Sequence, residues 1–183
     1  MWITLLLVFI FLMLDQGSKY LTEKLIPLGE EVEFIPNFLS FKKVYNTGAA
    51  WGMMNNATWV LVLISALGSV IFGYFLLKNN WKIAKWRSLA LVLCFSGCFG
   101  NLIDRFISIT PLSSARPGVV DMISFKPFDK LMSIFGLSAS VFNVADFILV
   151  TGIIMILIDV IFIEDRRKKK NAKPKTIDFE WFS

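Results

Sequence analysis

The chain has no histidine, only two cysteines and few charges, and each shortage removes a class of chemistry. Without imidazole there is no Ser-His-Asp or Cys-His nucleophile, no HExxH zinc site and no histidine proton shuttle. Cys94 and Cys98 cannot build a disulfide framework or a four-cysteine metal site. Charged residues are 18% of the chain, whereas soluble domains carry about 25%. What is present instead is apolar: 56% of the 183 residues are hydrophobic and the mean hydropathy is +0.65. A soluble domain of this size cannot bury so many apolar side chains in one core, so lipid must solvate much of the surface. Any catalysis falls to carboxylates, amides, hydroxyls or amines.

A bilayer span needs about 20 mostly apolar residues. Ala57–Leu77 has no charge across 21 residues and Ser88–Ile103 none across 16. Met1–Leu14 is uncharged before Asp15 and Lys19. A fourth apolar stretch runs from about Gly136 to Ile163, interrupted by Asp146. The expected spans are about 2–22, 57–77, 86–106 and 138–163, within one membrane domain of residues 1–163. A cleaved signal peptide has basic residues before its apolar run and a small-x-small site after it. The first span has neither, and is expected to be retained.

Residues 23–56 contain a strand-like run, Phe38–Tyr45, rich in aromatic and β-branched residues and set between turn-forming Pro36-Asn37 and Asn46-Thr-Gly48. Residues 107–137 contain Pro111, Pro117-Gly118 and Pro127, and read as irregular with one short interfacial helix. The expected fold class is an all-α polytopic membrane protein of four transmembrane helices with a small extracytoplasmic β-sheet and a short extracytoplasmic helix. The connection Lys78–Arg87 carries four cations and no acid, and the 164–183 tail is strongly basic. By the positive-inside rule both lie in the cytoplasm together with both termini. The net charge of +5 therefore reflects topology and contact with anionic membrane lipids rather than nucleic acid. The tail is expected to be disordered.

This orientation gathers the polar groups. Asp15 and Lys19 fall near the outer end of the first helix, Asn101, Asp104 and Arg105 at the outer end of the third, and Asn143 and Asp146 at the outer entry of the fourth. Asp121 lies just before that entry. Asp159 alone belongs to the cytoplasmic end. A single polar pair would serve as inter-helix glue, but convergence from three helices at one depth points to a functional site. Asp15 and Lys19 share a helix face at i,i+4 spacing, which suggests a supporting ion pair that a charge swap would partly restore. Without histidine, the hydrolytic option is a carboxylate dyad in which one member is protonated and the other activates water. Asp146 is one member. By position its partner is Asp121, Asp104 or Asp15, but Asp15 has Lys19 and Asp104 has Arg105 beside it, so chemistry favours Asp121. The Gly97–Asn101 face and the outer strand are the expected walls for a lipid chain and a peptide.

Five motifs then carry a resemblance: Asp15-Gln-x-x-Lys19, Tyr45-Asn-Thr-Gly-Ala-Ala-Trp-Gly52, Gly100-Asn-Leu-Ile-Asp-Arg105, Val119-Val-Asp-Met-Ile123 and Phe142-Asn-Val-Ala-Asp146. In order and in place relative to four spans, they resemble the bacterial lipoprotein signal peptidases, also called signal peptidase II or prolipoprotein signal peptidases. The resemblance implies an intramembrane aspartic peptidase of the bacterial cytoplasmic membrane. Such an enzyme cuts diacylglyceryl-modified prolipoproteins before the lipidated cysteine, near the extracytoplasmic face, as a monomer without metal or cofactor. Asp121 and Asp146 match its catalytic dyad. Asn143, Asn46, Gly48, Asn101, Asp104 and Arg105 match substrate-binding or active-site support, and Asp15 and Lys19 match a supporting pair. The outer strand resembles the family's β-cradle, and the segment before the fourth helix its gating helix. The stretches Arg105–Asp121 and Asp121–Asn143 are longer than the family's pattern.

Other classes fit less well. A thiol oxidoreductase would need Cys-x-x-Cys at a helix end, whereas Cys94-x-x-x-Cys98 lies inside a helix and reads as two small packing residues. A polar-cored transporter would carry inverted repeats and polar groups at the midplane. A membrane assembly protein accounts for the helices but not for the converging acids. Trp51, Trp59, Trp81 and Trp86 fall where aromatic belts form, and Gly68 and Gly73 suit close helix packing.

Overall fold

The computed structural model describes residues 2–48, 58–110, 116–137 and 140–163. The basic tail, Trp51 and the Ala-Ala-Trp-Gly end of the second motif lie outside these residues. In chain order the elements are α1 (Trp2–Leu25), β1 (Glu31–Ile35), β2 (Leu39–Asn46), α2 (Thr58–Lys78), α3 (Lys85–Ser108), β3 (Val119–Phe125), α4 (Lys126–Ile134), β4 (Val141–Phe142) and α5 (Val144–Ile158). One π-helical turn, Asp159–Ile163, continues α5. Four helices are long and apolar enough to cross a membrane: α1, α2, α3 and α5 with its π-turn.

Helix α3 is the hub. Of its most apolar window 61% is buried, against 11%, 28% and 22% for α1, α2 and α5 with its turn. The outer helices turn Leu6, Phe9, Leu63, Leu67, Val70, Ile154 and Leu157 outward, as lipid-facing helices do. Ala90, Leu93, Ile148 and Met155 form one buried cluster, and Leu76, Leu91 and Val92 another. Glycines set how closely α5 approaches α3. A Cβ on Gly97 would lie 2.6 Å from the Ala145 carbonyl oxygen, and one on Gly152 would lie 2.7 Å from Cys94 Sγ. A Cβ on Gly68 of α2 would sit 3.0 Å from Cys98 Sγ. Both thiols therefore work as small packing groups. The Gly97 face is filled by α5 rather than open to a lipid chain, which removes it as the expected lipid wall.

One end of the bundle is pinned by side chains from the Lys78–Arg87 connection. Trp81 Nε1 donates to Thr4 Oγ1 at 2.6 Å, and Trp86 Nε1 donates to the Met155 carbonyl at 2.9 Å. Arg87 Nε pairs at 2.5 Å with Asp159, whose side chain is fully buried. Asp159 is thus half of a structural ion pair, and its removal affects stability more than a lone boundary acid would.

The other end carries a four-stranded antiparallel sheet in the order β1-β2-β3-β4. The sequence locates one strand of the expected small sheet, over Phe38–Tyr45; the other three lie outside that run. Asp121 lies on β3, opposite Val44, not in an irregular loop. Val119, Val120, Asp121 and Met122 are all buried, because β3 is an inner strand between β2 and β4 and packs against α1 and α3. Buried on both faces over Val119–Met122, β3 lacks the alternation that marks a half-buried strand. Phe38 and Phe125 meet edge to face, Phe125 meets Phe147, and Phe147 meets Phe142, tying the sheet to the start of α5. Helix α5 begins at Val144 rather than near residue 138. Asn143 caps it, and the preceding Val141–Phe142 pair with β3 instead.

Gly97→Val should destabilise the bundle by about 1–3 kcal/mol through overpacking. Gly17→Ala in α1, where an added Cβ meets nothing within 4 Å, should stabilise it by up to about 1 kcal/mol through helix propensity. Thermal unfolding of the purified variants in detergent measures both.

Candidate active site

At the sheet end, α1 and α3 meet at one buried ammonium, and its partners carry the contact on to α5. Lys19 is fully buried. Its Nζ lies 2.8 Å from Asp15 Oδ2, 2.6 Å from Asp104 Oδ2 and 3.1 Å from Asn101 Oδ1. A buried ion is tolerated only when paired and hydrogen-bonded; here two carboxylates pair it, and Asp15 and Asn101 accept its hydrogen bonds. The i,i+4 pair is therefore present, but Asp104 uses Lys19 and Arg116, not Arg105. Arg116 Nη1 lies 2.6 Å from Asp104 Oδ1, and its other nitrogens grip Glu23 in a two-point contact. Arg105 instead donates to Ser65 Oγ of α2 at 2.7 Å, while its charge acts on Asp146, Asp121 and Asp104.

Asp15 also holds α5. Its Oδ1 accepts from the Ala145 N–H at 2.9 Å, supplying an acceptor to a first-turn donor that has no partner inside the helix. Gln16 Nε2 braces the pair, donating to Asp15 Oδ2 at 3.0 Å and to the Gly100 carbonyl at 3.1 Å. A Cβ on Gly100 would lie 2.5 Å from Asp15 Oδ2, so only glycine admits α1 here. Asn143 and Asp146 form a capping box: the Asp146 N–H donates to Asn143 Oδ1 at 3.0 Å, and the Asn143 N–H donates to Asp146 Oδ2 at 3.1 Å. Their i,i+3 spacing serves the helix start, and it leaves Asp146 Oδ1 to accept from Asn101 Nδ2 at 2.8 Å.

Asp121 reaches the same place from the sheet. Asn143 Nδ2 donates to its Oδ1 at 2.6 Å, and Asn46 Nδ2 to its Oδ2 at 2.9 Å. Asn46 is itself held by the Gly48 N–H, which donates to Asn46 Oδ1 at 3.1 Å. One residue, Asn143, therefore touches both Asp121 and Asp146. Burial and the nearby negative charge of Asp146 push the Asp121 carboxyl up to about 7, against the pull of the Asn46 and Asn143 amides. Asp121 is buried while Asp146 is only half-buried, so the pair is not sealed within the core.

All ten residues singled out from the sequence fall in this region. Nine are joined in chains of ion pairs and hydrogen bonds running Asp104–Lys19–Asn101–Asp146 and Asp146–Asn143–Asp121–Asn46–Gly48, with Asp15 on Lys19. Arg105 approaches by charge alone. Glu23, Arg116 and Tyr45 were missed. Tyr45 Oη donates to Glu23 Oε1 at 3.3 Å, and burial together with the Glu23 charge pushes its phenol up. Glu23 follows Asp15 and Lys19 at the same four-residue interval, a signal present in the sequence. Arg116 has no such local signal.

Four apolar helices, a sheet at one end and clustered carboxylates make the architecture of a membrane enzyme. A bacterial membrane enzyme solved by the in meso method at 2.3 Å matches with a TM-score of 0.70 and 28% identity, covering 97% of this chain and 95% of that one. A second, at 1.9 Å, gives 0.68 and 28%, covering 88% and 94%. The signal peptidase (SPase) II family matches residues 7–162. A lipoprotein signal peptidase of Enterococcus faecalis is 40% identical over 166 residues, 89% of each chain. One of Staphylococcus aureus is 30% identical over 171 residues, 93% of this chain and 95% of its own. The chain belongs to the signal peptidase II family, and is a bacterial membrane protein of the peptidase class.

Lys19→Met leaves Asp15 without a cation and Asp104 with Arg116 alone, a loss of about 3–5 kcal/mol for a broken buried pair. Folded yield and melting temperature should fall together with activity. The expected rescue by charge swap does not survive the geometry. Lysine at position 15 would set a cation against the N-terminus of α5, where an acceptor is required. Thermal unfolding of Lys19→Met and of the swapped double variant should show no recovery in the latter.

Proposed function

We propose that this chain is an intramembrane aspartic endopeptidase that removes the signal peptide from diacylglyceryl-modified prolipoproteins, cutting immediately before the lipidated cysteine. The observation that carries the reading is Asn143, whose side chain binds Asp121 while its backbone binds Asp146. Two carboxyls held this close share a proton. Asp121, pushed up to about 7, is the member that holds it. Asp146 accepts from two N–H groups, which suits an ionised carboxylate and makes it the base. Asp146 takes a proton from water as the oxygen attacks the scissile carbonyl, and Asp121 passes its proton to the departing amine. Asn101, Asn46, Gly48 and Asn143 hold the two carboxyls, and Asp15, Lys19, Asp104 and Arg105 hold the helices that carry them.

The location supports the substrate. The pair lies where the apolar helices meet the sheet, so it reaches a peptide bond only where the substrate's helix unwinds at the membrane boundary, since intact helices shield their carbonyls. A diacylglyceryl group beside that bond adds about 0.8 kcal/mol per buried methylene and anchors the register from the lipid phase. The sheet then offers an extended wall to the peptide. In this reading the sheet and α4 are extracytoplasmic, both termini and the Lys78–Arg87 connection are cytoplasmic, and the enzyme works as a monomer.

Asp121→Asn and Asp146→Asn should each abolish cleavage of a diacylglyceryl-cysteine peptide, followed by mass spectrometry, while remaining folded. The unlipidated peptide should be cut poorly by the unaltered enzyme. Because one proton must stay on the pair, kcat/KM should fall as pH rises past about 7. The raised carboxyl also stabilises the fold in a defined window. Its contribution is complete below the ordinary value of 3.8 and is lost as pH rises through about 7. In Asp121→Asn the melting temperature should lose that dependence.

Orientation has its own test. In a background with Cys94 and Cys98 replaced by Ala, a membrane-impermeant maleimide added to intact spheroplasts should label Asn37→Cys. Lys82→Cys should be labelled only after permeabilisation.

A further inference from the structure

We propose that the end of the bundle opposite the carboxylate pair holds an anionic phospholipid, bound in a groove between α2 and α5. Both helices pack on α3, and the groove of about 480 Å³ that remains between them is walled by Phe72, Phe75, Leu91 and Ile156. Its mouth carries Lys78, Asn79 and Arg87. The volume suits one acyl chain, with the rest of the lipid continuous with the bilayer.

The head group is selected by charge. Lys78, Lys82, Lys85 and Arg87 follow one another with no acid between them. Arg87 is matched by Asp159, which leaves Lys78 as the excess cation at the mouth, with Lys82 and Lys85 exposed in the connection that follows it. Helix α3 starts there too, and its N-cap residue Ala84 supplies no side-chain acceptor to the first turn. The positive end of a helix with uncapped N–H groups is a natural partner for a phosphate. Apolar walls beneath a cationic rim match a phosphodiester with an acyl chain, and basic pockets between helices on the cytoplasmic side bind anionic head groups. A signal peptide does not match, because its own basic n-region would meet charges of the same sign. The site is separate from the carboxylate pair and stands or falls without it.

The test uses the full-length chain in detergent with equimolar phosphatidylglycerol and phosphatidylethanolamine of identical acyl chains, read by native mass spectrometry and thermal unfolding. One phosphatidylglycerol should be retained in preference to phosphatidylethanolamine and should raise the melting temperature. Lys78→Gln, at an exposed position, should cut that preference by about fivefold, the contribution of one cation near an anionic surface. Val160→Trp, which fills the groove, should remove the adduct while the protein still folds. Equal retention of the two lipids would overturn the proposal, as would a preference that survives both variants. Displacement of phosphatidylglycerol by an equimolar signal peptide would assign the groove to substrate instead.

Discussion

A single buried charge organises the sheet end of this protein. The ammonium of Lys19 is fully buried in a helix apolar enough to cross a membrane, where an unpaired charge is costly. Each of its three partners has a second task. Asp15 holds the first turn of α5, Asp104 holds Arg116, and Asn101 donates to Asp146. One cation therefore sets α1, α3 and α5 at a common level and draws in the segment that leads to β3. Because each member serves two neighbours, the cluster forms as a unit or not at all.

The start of α5 connects this scaffold to the proposed chemistry. A helix N-terminus presents unpaired N–H groups and a positive dipole end, both of which favour carboxylates. Asp15 and Asp146 answer that demand, so the interaction that stabilises the helix also places an acid at the site. The sheet brings Asp121 to the same point, and the repulsion between the two acids is offset by the amides of Asn143 and Asn46. An acid beside an acid is a poor arrangement for stability alone. Beside a membrane boundary, it is a good one for holding a proton between two carboxyls.

Much of this was legible in the sequence. Charge-free runs mark the helices, and lysine asymmetry combined with four spans brings the polar residues to one end. What failed has physical causes. Asp104 and Arg105 are neighbours in sequence, but successive residues on a helix do not face each other, so the ion pair forms across the fold with Lys19 and Arg116. The apolar stretch before Asp146 does not show where α5 begins, because Val141–Phe142 are apolar in a strand for the same reason they would be in a helix. The i,i+3 spacing of Asn143 and Asp146 serves a helix cap rather than a shared helix face. Asp121 looks like a loop residue in the sequence because β3 is buried on both faces around it and has no alternating pattern. Arg116 pairs with residues far from it in the chain, which no local pattern reveals.

The central claim is that Asp121 and Asp146 deliver water directly to the scissile carbonyl. It is tested by cleaving a diacylglyceryl-cysteine peptide in H₂¹⁸O over several turnovers, with mass spectrometry of both the products and the enzyme. The expected result is one ¹⁸O in the new carboxylate of the released signal peptide and none in the side chains of Asp121 or Asp146. Label in either aspartate would mean that a carboxylate attacks the peptide itself, and would contradict the proposed mechanism.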